Sequence, residues 1–167
     1  MDVEHLKYIL QELEFSAALP ADVLAQLAGM VDLQSVKAAT VLFREGSENR
    51  YLYLLRSGRI GLDMNVPGRG PVRILTIGPG EMIGWSALVS QSRMTASATA
   101  LEESEVIVAP SDELYRLCLA NAVFGFHLMH RMALALSKRL VATRLQLLDL
   151  FVDRPPQQAI DRREGKP

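Results

Sequence analysis

The sequence has one cysteine, Cys118, and only three histidines in 167 residues. A single thiol closes no internal disulfide, so a hydrophobic core has to hold the fold. A chain of this length buries roughly 70% of the surface its unfolded form exposes. Charge of one sign is also lacking in excess: 18 Lys and Arg stand against 19 Asp and Glu, for a formal net charge of −1. Without a basic surplus the electrostatic attraction that dominates nucleic-acid affinity is missing, and no direct DNA binding is expected. Long apolar runs are missing as well. The longest uncharged stretch toward the C-terminal half, Leu117 to His130, contains Asn121, Gly125 and two histidines, and falls short of the ~20 apolar residues of a membrane span. The opening Met1-Asp2-Val3-Glu4 is too acidic for the positively charged start of a secretory leader. The expectation is a cytoplasmic protein in a reducing compartment, with no membrane association.

What is abundant is apolar surface. Hydrophobic residues make up 49% of the chain and the mean hydropathy is +0.13, which predicts that some of that surface is covered by a partner.

Along the chain, residues 4 to 31 read as two short amphipathic helices. The first places Leu6, Ile9, Leu10 and Leu13 at three- and four-residue spacing; the second starts at Pro20 and carries Val23, Leu24, Leu27 and Met30. From about Val36 the period changes. Val41-Leu42-Phe43, Tyr51 to Leu55, Ile60 to Met64, Val72 to Leu75 and Val106-Ile107-Val108 are strand-length runs. Between them stand Gly46, Ser57-Gly58, Pro67-Gly68-Arg69-Gly70 and Gly78-Pro79-Gly80, which is turn chemistry. Short strands without intervening helices predict an antiparallel sandwich or barrel. After Pro110 the helical pattern returns, with Ser111 as the expected N-cap and Asp112 and Glu113 in the first turn.

From about Val123 to Val152 no proline interrupts the chain, and one long helix of roughly 45 Å is expected. Met129, Met132, Leu136, Leu140, Thr143, Leu147 and Leu150 step along it by three and four. That is the spacing of a coiled-coil seam, and it predicts a homodimer. A helix that merely covers its own domain would show a similar stripe; Leu128, Ala135, Leu145 and Leu148 widen it enough for both. The domain is expected to span 1–152. Residues 153–167, with Pro155-Pro156-Gln157-Gln158 and mixed charges, are expected to be a disordered tail.

Catalytic constellations are sparse, and no enzyme is expected. His127 and His130 share one helix and lack a third metal ligand nearby in sequence. Cys118 sits on an apolar helical face. The informative segment runs from Gly78 to Leu88 and on from Ser92 to Ala100. There, a glycine and a short run of small residues follow a strand. Free amides at such a turn can cradle an anion, although glycine at an ordinary turn gives the same pattern.

These residues also resemble the cyclic-nucleotide-binding domains of the Crp/Fnr regulators, the cyclic-nucleotide-gated channels and the kinase regulatory subunits. The resemblance covers about residues 14 to 151. Val41 to Gly46 is similar to the family's opening strand and glycine, Gly80-Glu81-Met82-Ile83-Gly84 to the approach to its phosphate-binding cassette, and Ala96 to Glu102 to the strand that leaves it. The resemblance implies a mainly β fold, a double-stranded β-helix or jelly roll with flanking helices. A long C-terminal helix follows, which dimerises in Crp-like members. It implies a regulatory or sensor module whose ligand is a cyclic nucleotide or another small anion. The candidate ligand residues are Gly84, Trp85, Ser86, Ala87, Arg93, Met94 and Thr95.

The family cassette reads approximately F-G-E-x-A-L, then P-R-x-A, its Glu accepting the ribose 2′-hydroxyl and its Arg pairing with the cyclic phosphate. Aligned without gaps, Trp85 stands where the Glu belongs, Met94 where the Arg belongs, and Arg93 where the proline belongs. Arg93 reaches the phosphate only if the loop bulges by one residue; in register it points to the other side of the chain. Trp85 either plugs the ribose space or stacks on a different flat ligand. An alternative function is a dimeric protein-interaction module with a closed pocket, recognising a protein partner by its surface.

Overall fold

The computed structural model describes residues 2–89 and 93–152, with side chains placed up to residue 145. The expected tail at 153–167 lies outside the described residues. Two short helices, α1 (Val3–Glu12) and α2 (Ala21–Met30), precede eight strands: β1 (Asp32–Val36), β2 (Val41–Phe43), β3 (Tyr51–Ser57), β4 (Ile60–Val66), β5 (Gly70–Ile77), β6 (Met82–Ile83), β7 (Ser97–Ala100) and β8 (Ser104–Pro110). A four-residue helix, α3 (Ser86–Val89), separates β6 from β7, and α4 (Ser111–Ala120) and α5 (Ala122–Val152) follow β8. The strands form two antiparallel four-stranded sheets, ordered β1-β8-β3-β6 and β2-β7-β4-β5, the jelly roll the sequence predicts.

Alternation within single strands explains why some of them read so clearly. In β3, Tyr53 and Leu55 enter the space between the sheets while Leu52 and Leu54 face the helices. In β8, Val106 and Val108 point one way, Ile107 and Ala109 the other. A strand buried on both faces appears as a continuous apolar run. The core therefore has two compartments. The inter-sheet compartment includes Phe43, Ile60, Leu62, Ile77, Ile83 and Met94 with Ala96 and the β7 alanines 98 and 100. The helix-side compartment packs α1, α2, α4 and the start of α5 against the outer face of the first sheet.

Three expectations need correction. Ser111 is the first residue of α4 and not its cap; Pro110 holds the cap position without a side-chain bond. The Ser111 amide is already taken by the Arg50 carbonyl at 2.8 Å, so a cap bond there is not needed. Strand β1 begins at Asp32, before the apolar run at Val36, because its middle residues are mostly exposed. Met132 is 5% exposed and belongs to the chain's own helix-side core with Phe124 and Leu128. The i, i+4, i+8 row faces inward, and Met132 is not available to a second copy.

The first compact unit ends at Ala135. Within it, α5 is tied to the segment between α1 and α2 by an Arg131–Glu14 ion pair at 2.9 Å and by the His127 ring against the Phe15 carbonyl. The remainder of α5, from Leu136, belongs to the second unit. There Leu136, Leu140 and Thr143 are exposed, and the Thr143 hydroxyl donates to the Arg139 carbonyl at 2.9 Å. The side chains of Leu147 and Leu150 lie outside the described residues. Among the described residues, no helix is long and apolar enough to cross a membrane.

Candidate functional site: the cassette and the inter-sheet space

The cassette is built on a sharp turn. Gly84 has φ +80°, a left-handed conformation that glycine adopts without steric cost. A Cβ there would meet the Tyr51 carbonyl oxygen at 2.6 Å, the Tyr53 ring at 3.2 Å and the Asn49 amide nitrogen at 3.3 Å. The turn reverses the alternation set by β6. Ile83 lies in the inter-sheet core, whereas half-buried Trp85 packs against the helix-side core. Trp85 is therefore not a plug of the inter-sheet space. Ser86 is buried, and Ala87 leans on the inter-sheet residues. The Ala87 amide donates to the Gly84 carbonyl and the Leu88 amide to the Trp85 carbonyl, both at 3.0 Å. Two of the amides that an anion cradle would use are thus committed within the turn.

Beyond the cassette loop the register is fixed by backbone bonds on both sides of one residue. The Met94 amide donates to the Ser47 carbonyl at 3.0 Å, and the Gly46 amide donates to the Met94 carbonyl at 2.8 Å. Period-two alternation then decides the side chains. Met94 is 3% exposed and sits in the inter-sheet core. Arg93 and Thr95 are exposed, and the Arg93 guanidinium donates to the Gly46 carbonyl at 3.0 Å. Met94, and not Arg93, is the residue turned inward.

The polar groups beside Met94 satisfy one another. The Asn49 carboxamide donates to the Tyr51 carbonyl at 2.7 Å and accepts from the Tyr53 hydroxyl at 3.2 Å. Burial pushes the Tyr53 phenol above its ordinary value, and the neighbouring Tyr51 adds to that shift, so Tyr53 remains a neutral donor at physiological pH. Its ring lies 5.9 Å from that of Phe43. Sequence reading missed Asn49 and Tyr53. Tyr53 is visible as an inward position of the Tyr51–Leu55 run, but nothing in the sequence pairs it with a loop asparagine.

Among the described residues, no group of three or more His, Cys, Asp or Glu is placed to hold a metal ion. His130 stacks on the Phe126 ring at 5.8 Å, and burial raises the Cys118 thiol above its ordinary value, as suits a packed side chain.

The sequence pattern of the cyclic nucleotide-binding domain family matches residues 33–121, more than half of the chain, and the chain belongs to that family. The cyclic AMP receptor protein of Thermus thermophilus is 27% identical over 106 residues, 64% of this chain and 47% of that one; the chain thus spans about half the length of that relative. A cyclic nucleotide-binding domain from Methylobacillus flagellatus superposes with TM-score 0.73 over 88% of this chain and 83% of its own, at 20% identity. A candidate cyclic nucleotide-binding protein of Geobacter metallireducens does so with TM-score 0.69 over 84% and 98%, at 26% identity.

Proposed function

We propose that this chain is a regulatory domain of the cyclic nucleotide-binding family whose inter-sheet site is closed to cyclic nucleotides. It acts by surface contact, with a second copy as its partner. The observation that carries the closed site is Met94, buried where the family's cassette places its phosphate-binding arginine. A sheltered monoanionic phosphate needs a charge-assisted partner, and losing one costs about 2–5 kcal/mol. At roughly 1.4 kcal/mol per tenfold, a micromolar site becomes millimolar.

Exposed apolar side chains support the second copy. In the first unit Leu119, Val123, Phe126 and Met129 stand in solvent. Leu136, Leu140 and Leu145 of the second unit are likewise exposed.

Titration with cyclic AMP, followed through the fluorescence of Trp85, the sole tryptophan, should give no saturation below about 100 µM. Sedimentation at micromolar concentration should report a dimer. Low-micromolar cyclic AMP binding would overturn the closed site, and a monomer at high concentration would overturn the partner.

A further inference from the structure

Behind the cassette a groove of about 440 Å³ lies between α3 and the first turn of α4, lined by Arg50, Ala87, Leu88, Ser111, Asp112 and Tyr115. It shares none of these residues with the buried inter-sheet core, although Ala87 leans on that core from outside. The pairing of β3 with β8 places Tyr51 opposite Pro110, which brings Arg50 beside Ser111, where their backbones bond at 2.8 Å.

The polar groups of the groove divide into committed and uncommitted. Asp112 accepts from Arg116 at 2.8 Å; that bond, helped by the Asp112 and Glu113 amides, holds its carboxyl below the ordinary value. The Asp112 carboxylate is thus committed to Arg116, and the Ser111 amide to the Arg50 carbonyl. Ser111 differs at its side chain. It is 8% exposed and lines the groove, and among the described residues its hydroxyl has no hydrogen-bond partner. Arg50 is exposed and makes no ion pair among the described residues. A sheltered hydroxyl without a protein partner, next to a free guanidinium, is an arrangement that calls for an acceptor.

We propose that this groove binds a small amphipathic monoanion, a carboxylate carrying an aromatic or short aliphatic body. The carboxylate is held by the planar donor fork of Arg50 and by the Ser111 hydroxyl. The body lies on Leu88, Ala87 and the exposed ring of Tyr115, surfaces that a fully hydrated inorganic anion cannot use. No covalent step is involved. Because Ala87 and Leu88 belong to α3 while Ser111 and Tyr115 belong to α4, one occupant touches the cassette and the helix after the jelly roll at once.

Benzoate is the probe, with the amide resonances of the full chain as the readout. Saturable shifts are expected at Leu88, Ser111 and Tyr115, with a midpoint around 1 mM for a ligand of this size. Arg50→Gln should weaken binding at least tenfold. Ser111→Ala should weaken it several-fold without lowering the melting temperature, because that hydroxyl holds nothing in the fold. Acetate and inorganic phosphate, which lack the apolar body, should bind at least tenfold more weakly than benzoate. The proposal fails if benzylamine shifts the same amides as strongly, if Arg50→Gln binds benzoate like the wild type, or if the benzoate shifts do not saturate or centre on Tyr53 and Met94 instead.

Discussion

Phe124 and Phe126 are two residues apart on the same helix, yet Phe124 is 0% exposed and Phe126 is 74% exposed. Phe124 starts an inward row continued by Leu128 and Met132, and the three pack with α1, α2, α4 and the first sheet. Phe126 lies among Val123 and Met129, which are exposed as well. The same side chain thus belongs to the core on one face and stands in solvent on the other, where the proposed self-association would draw on it. Which role it takes is set by the 100° that each residue turns around the helix axis. Composition alone could not separate the roles, because apolar residues occupy nearly every face of this helix.

The comparison breaks most visibly at Phe124. Phe124→Ala removes a fully buried ring from a compartment that draws on four helices, and a cost of about 3–5 kcal/mol is expected. In a chain of this size that lowers the melting temperature on the order of 10 °C. Thermal unfolding followed by circular dichroism measures it. A loss below about 1 kcal/mol would mean that the helix-side core repacks around the void, and that the inward row is less fixed than its burial implies.

Phe126→Glu sharpens the other side of the comparison. An exposed position tolerates such a change within about 0.5 kcal/mol of the monomer's stability, so the melting temperature extrapolated to low protein concentration should barely move. Self-association should weaken at least tenfold, since a carboxylate would be desolvated at the centre of the contact without a partner. Equal sedimentation of variant and wild type would remove Phe126 from the interface.

The two faces also show where sequence reading succeeds and where it stops. Strands β3 and β8 were legible because both of their faces are buried, which leaves runs such as Tyr51 to Leu55 without polar interruption. Strand β1 was not, because Gln34 and Ser35 are exposed and carry no apolar alternation. The length of α5 was legible from the absence of proline, but its rotational phase was not. Met132 fits a seam by spacing and a core row equally well, and only the packing of α1 and α2 decides between them. At the cassette, family likeness located Trp85 and Met94. The side each one faces depends on the left-handed turn at Gly84 and on the backbone bonds that join Met94 to residues 46 and 47. The Met94 bonds are remote in sequence, whereas the Asn49–Tyr53 bond spans only four residues and escapes notice because no sequence pattern pairs a loop asparagine with an inward tyrosine.

The smallest expected effect lies far from both faces, at the Arg59–Glu102 ion pair of 2.8 Å. The guanidinium holds the Glu102 carboxyl below its ordinary value. A carboxyl lowered on folding stabilises the protein above its unfolded value, and that contribution disappears as pH falls through the lowered one. Both partners are exposed, so solvent and salt screen the attraction. The loop is also held independently by the Leu101 amide, which donates to the Arg59 carbonyl at 2.8 Å. Glu102→Gln should therefore lower the melting temperature by no more than about 1 °C at neutral pH and low salt. The difference from wild type should vanish both in high salt and at a pH below the Glu102 titration. A variant that stays several degrees less stable under acid or high salt would show that Glu102 acts through packing or backbone contacts rather than through its charge.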